Sequence, residues 1–153
     1  MYIGGGELGP VFICLHGAGH SALSFACLAG ELKKFATVVA FDFRGHGDSK
    51  VENNPTDLSM ETLIQDSLKV FNHVDKLFPN HTIIIIGHSM GGAVATKATE
   101  AALNDDILGK RIHGLIVIDV VEGTALEALP FMETIVKNRP HAFKDPQSAI
   151  QWA

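Results

Sequence analysis

Cysteine is scarce in this chain, which removes one common way of holding a small protein together. Cys14 and Cys27 are the two cysteines among 153 residues, too few for the disulfide framework of a small secreted domain. They fall in stretches that read as strand and helix, and both are expected as reduced core thiols. Positive charge is also short. Twelve Lys and Arg against 17 Asp and Glu leave a formal charge of −5, and a pI near 5.8 offers no basic footprint for nucleic acid. No apolar run approaches the roughly 18 residues a membrane helix needs. Residues Met1–Glu7 lack the basic and apolar regions of a signal peptide. These absences lead to the expectation of a protein from a reducing, soluble compartment, cytoplasmic or nuclear, with no nucleic-acid or membrane partner.

What is present is apolar and periodic. The chain is 46% hydrophobic with a mean hydropathy of +0.20, the richness of strands buried on both faces. Four apolar runs stand out: Val11–Leu15, Thr37–Phe43, Thr82–Ile86 and Leu115–Ile118. Each is short, largely β-branched and closed by glycine or a polar residue, which argues strand over helix. Between them Ser21–Lys34, Ser59–Phe78 and Met90–Leu103 read as helices, Ser59 serving as N-cap and Glu61 favouring the first turn. Strands alternating with helices predict an α/β fold with a mostly parallel sheet flanked by helices. Near the end, Asp145 reads as an N-cap and Pro146 as a first helical residue, with Gln147–Ala153 continuing helically. Two turns of helix are too short to stand alone, and four parallel strands leave both sheet edges open. The expectation is therefore a partial domain over residues 1–153, its first strands and C-terminal half missing.

The densest chemical signal is Gly87-His88-Ser89-Met90-Gly91, a G-x-S-x-G pattern between the third strand and the third helix. This is the spacing of a nucleophile elbow. The serine backbone must be strained on a tight turn, and its glycine neighbours let other chain pass closely. The turn aims the Ser89 hydroxyl into a cleft and sets the Met90 N–H at a helix N-terminus, where it favours a developing oxyanion. His16-Gly17-Ala18-Gly19 closes the first strand, and the loop there supplies the second oxyanion donor in this kind of fold. Ala18 and Gly19 are both candidates, and the sequence does not choose between them. Asp119 ends the fourth strand at the same sheet edge and is the candidate triad acid, with Glu122 as runner-up.

A general base is harder to find. The chain order of this fold is serine, acid, histidine, and after Asp119 comes only His141, in the proline-marked stretch Asn138-Arg139-Pro140-His141. His16, His20, His46 and His88 precede the acid, and His73, His81 and His113 read as ordinary helix or strand-start residues. Despite eight histidines, no Cys/His cluster has zinc spacing, so neither metal nor cofactor is expected. Asp42-Phe43-Arg44-Gly45-His46-Gly47-Asp48-Ser49 matches D-x-R-G-H-G-x-S. This loop is a hallmark of α/β-hydrolases, in which Arg44 and His46 would pin the loop beneath the elbow rather than react.

Three stretches narrow the likeness: Leu15–Ser24, Gly87–Ala93 and Ile118-Asp119-Val120-Val121-Glu122-Gly123-Thr124-Ala125. Together they resemble the protein phosphatase methylesterase family, a branch of the α/β-hydrolases, from Gly9 to Trp152. Generic lipases and epoxide hydrolases lack the Ile118–Ala125 run, and an epoxide hydrolase would carry aspartate where Ser89 stands. The resemblance implies an incomplete α/β-hydrolase fold and a Ser-Asp-His esterase that removes the methyl ester from the C-terminal leucine of the protein phosphatase 2A catalytic subunit. It also implies Ser89 as nucleophile, Asp119 as acid, and a triad histidine far downstream of this chain, so that hydrolysis by residues 1–153 should lie near background. A small-molecule esterase or lipase of the same fold, and a non-catalytic fragment that binds the phosphatase, are the alternatives the residues leave open.

Overall fold

Val11–Leu15 and Thr37–Phe41 form strands in which every residue is buried, as continuous apolar runs between two helical layers should be. They are β2 and β3 of a five-stranded sheet whose other members are β1 (Tyr2–Gly5), β4 (Ile83–His88) and β5 (Ile112–Ile118). The strand order is β1-β3-β2-β4-β5. β3, β2, β4 and β5 pair in parallel, and β1 runs antiparallel along β3. This computed structural model describes residues 1–6, 9–52, 56–120, 131, 134, 137–138, 140 and 142–152. They belong to two units, Met1–Val120 and Val121–Ala153, and the sheet lies in the first.

Three of the differences from the sequence expectation have a clear physical reason. β1 was not foreseen, because Tyr2-Ile3-Gly4-Gly5 has little β pattern of its own. It is a strand by virtue of the partner it pairs with, β3. β3 stops at Phe41 rather than Phe43, since the Phe43 N–H leaves the ladder and donates to His16 Nε2 at 3.0 Å. β5 begins at Ile112, three residues before the apolar run, because its pairing with β4 starts at Ile83 and shifts register between Ile83 and Ile84.

The expected first helix resolves into a 3₁₀ turn, Ala22–Phe25, and helix α1, Ala26–Leu32. Helix α2 is Met60–Leu77, where the Ser59 side chain accepts from the Thr62 N–H as an N-cap. Leu63, Ser67, Phe71 and Val74 are its buried residues, at helical spacing. Helix α3, Met90–Ala102, buries Gly91, Gly92, Val94, Ala95, Ala98, Thr99 and Ala102, a small-residue stripe that brings it close to the sheet. In the second unit, α4 (Pro146–Trp152) starts as expected, with Asp145 Oδ1 accepting from the Ser148 N–H at 2.8 Å.

The strand period of two divides the core. Val11, Ile13 and Leu15 pack with Phe71, Val74, Val94 and Ala98 on the α2/α3 side. Phe12 and Cys14 pack with Ala22 and Phe25 on the other. Among the described residues no helix is long and apolar enough to cross a membrane.

Candidate active site

Ser89 sits between the last residue of β4 and the first of α3, at φ 52° and ψ −122°. A left-handed φ is unusual for a residue with a Cβ, and where the surrounding structure enforces it, it marks stored strain. The surroundings are tight. A Cβ on Gly91 would stand 2.3 Å from the Leu15 carbonyl oxygen and 2.4 Å from that of His16, so α3 begins in direct contact with the end of β2. The Ser89 carbonyl accepts from the Gly92 N–H at 2.8 Å, starting the helix, while the Ser89 N–H donates to the Ile118 carbonyl at 2.9 Å. The hydroxyl-bearing residue is thereby tied to the end of the next strand.

The loop after β2 lies against this turn. A Cβ placed on Gly17 would be 3.3 Å from Ser89 Cβ and 2.9 Å from His88 Nδ1, close enough that only glycine fits. His16 is fully buried. Its Nε2 accepts from Phe43 and its Nδ1 faces the Gly17 carbonyl at 2.8 Å, which fixes a neutral tautomer. Burial pushes its imidazole below the ordinary 6.5, and with both ring nitrogens engaged His16 braces the loop.

Of the two oxyanion candidates in this loop, Gly19 has its N–H donating to His46 Nε2 at 3.1 Å, while His46 Nδ1 lies 3.0 Å from the Arg44 carbonyl. That engagement leaves Ala18 as the less encumbered candidate beside Met90 at the start of α3. The rest of the Asp42–Ser49 loop is bracing of the same kind. Buried Asp42 accepts from the Ala22 N–H at 2.7 Å and the Asp48 N–H at 3.2 Å, and Arg44 Nε donates to Asp66 on α2 at 2.6 Å.

Asp119 follows β5 directly, at φ 54°. Ser89 and Asp119 are the non-glycine residues with left-handed φ among those described. They end neighbouring parallel strands whose pairing runs to His88 and Ile118. The carboxylate is exposed, and its Oδ2 lies 3.9 Å from His88 Nε2. Sequence reasoning did not foresee that contact. Its signal was present, since residues 88 and 119 terminate strands that pair. His20 stacks on His88, ring centroids 5.5 Å apart. Glu122 and His141 lie outside the described residues. His73, in α2, is exposed.

The arrangement offers a hydroxyl on a strained turn, a helix N-terminus and a carboxylate at one sheet edge, components that acyl transfer uses. Comparisons with known proteins point the same way. Residues 12–152 match the family described as "Alpha/beta hydrolase family". Protein phosphatase methylesterase 1 of Mus musculus is 43% identical over 157 residues, covering 100% of this chain and 38% of that protein. The probable protein phosphatase methylesterase 1 of Caenorhabditis elegans is 44% identical over 154 residues, covering 99% of this chain and 40% of its own length. The chain thus spans about two fifths of the length of these relatives. Among solved structures, a marine microorganism esterase superposes with a TM-score of 0.68 at 26% identity, over 91% of this chain and 50% of that one.

Proposed function

The chain belongs to the alpha/beta hydrolase family, and from that footing we propose that it is the nucleophile-bearing part of a protein phosphatase methylesterase. Ser89 is the nucleophile, Asp119 the acid of a Ser-Asp-His triad, and the Ala18 and Met90 amides the oxyanion donors. The substrate is the methyl ester on the C-terminal leucine of the protein phosphatase 2A catalytic subunit, and the setting is cytoplasmic or nuclear. The observation that carries the reading is the left-handed backbone of Ser89 at a strand–helix elbow, with Gly17 against its Cβ. The likeness of the whole chain to protein phosphatase methylesterases supports a methyl ester on a protein phosphatase as the substrate class.

In this reaction Ser89 Oγ attacks the ester carbonyl while a histidine takes its proton. The carbonyl oxygen becomes an oxyanion held by the two amides, methanol leaves, and water releases the carboxylate. A serine without its base is a weak nucleophile, and the oxyanion donors and binding alone supply roughly 10³–10⁴-fold over water. After Asp119 the sequence carries one histidine, His141, in a proline-marked stretch. Hydrolysis of a p-nitrophenyl ester by the purified 153 residues is therefore expected near background. Slow, stoichiometric capture of a fluorophosphonate probe is expected at Ser89 and not in Ser89→Ala. Capture that persists in Ser89→Ala would sink the assignment of the nucleophile.

A further inference from the structure

His88 is the residue inside the G-x-S-x-G turn to which the reaction above assigns no part, yet the turn holds its ring on three sides. On one side is Gly17, where a Cβ would come within 2.9 Å of Nδ1 and 3.3 Å of Cε1. On another, His20 stacks with an interplanar angle of 28°. On the third, Nε2 faces Asp119 Oδ2 at 3.9 Å. The ring is half-buried, with 29% of the side chain exposed, while the carboxylate it faces is 77% exposed. The backbone brings the two residues together, since Ile118 pairs with His88 across the β4–β5 ladder and its carbonyl accepts from the Ser89 N–H.

We infer that His88 is a positioning residue for Asp119, holding the carboxylate beside the elbow in the orientation from which it receives the imidazole that serves Ser89. The inference rests on the reading of Asp119 as the triad acid. Asp119 is a mobile-looking choice for that task, being exposed and following an exposed strand. A carboxylate that must hold one tautomer of a histidine has to be held itself. The His88 ring is placed to do so, packed between the Gly17 loop and the His20 imidazole. As both members of the pair reach solvent, the coupling is modest.

The test is the side-chain conformation of Asp119 in the 153-residue chain, read from its χ1 three-bond couplings by NMR in wild type, His88→Ala and His88→Gln. Wild type should show one dominant rotamer and a nuclear Overhauser contact between the His88 ring and the Asp119 Hβ protons. Both variants should average the Asp119 couplings over rotamers, while those of the exposed Asp106 should not change. Identical Asp119 couplings in wild type and both variants overturn the inference even if Ser89 is the nucleophile. Failure of the underlying reading looks different: fluorophosphonate capture that persists in Ser89→Ala removes the elbow from the chemistry, although the Asp119 couplings would still respond to His88.

Discussion

β4 and β5 lie side by side in one sheet and are built of much the same residues, yet they live in different environments. In β4, Ile83, Ile85 and Ile86 are at most 3% exposed, whereas in β5 Leu115, Ile116, Val117 and Ile118 are between 37% and 45% exposed. Composition does not separate them. Position does, because β4 has β2 on one side and β5 on the other, while β5 ends the sheet order. The candidate site straddles that boundary, with Ser89 closing the buried strand and Asp119 closing the exposed one. Ser89 is therefore supported by the core, and Asp119 depends on local contacts.

Substitutions can break or sharpen this contrast. The largest effect should come from adding one methyl group at either side of it. A Cβ on Gly91 meets backbone oxygens at 2.3 Å, while one on Gly114 in β5 meets only Ile84 side-chain atoms at 3.5 and 3.7 Å. Gly91→Ala should destabilise by about 3 kcal/mol or more, through overpacking against atoms that cannot yield. Gly114→Ala should stay within about 0.5 kcal/mol. Urea unfolding compares the two, and equal midpoints would erase the distinction.

Next comes truncation. Ile85→Ala should cost about 3 kcal/mol, from lost burial plus a cavity, against about 1 kcal/mol or less for Ile116→Ala. Chemical denaturation with matched slopes measures both.

A smaller effect concerns acid. The folded chain holds His16 neutral and below its ordinary 6.5. The unfolded chain thus binds a proton more readily, and the contribution of His16 is complete above 6.5. It is lost progressively as pH falls from there through the depressed folded value. Melting temperature should drop between pH 7.5 and 5.5 in wild type, and by less in His16→Asn, which starts lower at both.

The smallest effect leaves stability alone and reads accessibility. Cys14 is buried in β2, and burial pushes its thiol up to about 12, whereas Cys27 is exposed. Iodoacetamide at neutral pH should alkylate Cys27 and spare Cys14 in the native chain, as peptide mass mapping would report. This also corrects the expectation that both thiols lie in the core. Cys27 is in α1, whose half-buried Leu28, Ala29 and Leu32 pack on the core and leave Cys27 on the outer side.

How much was legible beforehand follows the same division between local and distant causes. The elbow could be read because Gly87 and Gly91 are spaced by the steric needs of one turn, and the caps at Ser59 and Asp145 because a cap is satisfied within three residues. β1 could not, as Tyr2–Gly5 becomes a strand through β3, more than thirty residues on. The engagement of the Gly19 amide could not either. It comes from His46, which reaches back 27 residues to accept from it. The contact between His88 and Asp119 needed the β4–β5 register, which no local pattern encodes.

Arg111, just before β5, has a wider meaning. Its guanidinium donates to the carbonyls of Phe78 and His81, contacts that of Pro79, and lies 3.0 Å from Asp75, fastening the start of β5 to the end of α2. The strand is thus clamped at its amino end, opposite the sheet end that carries Ser89 and Asp119. Its ladder with β4, running on to His88 and Ile118, transmits that placement along the whole strand to the residue that follows it.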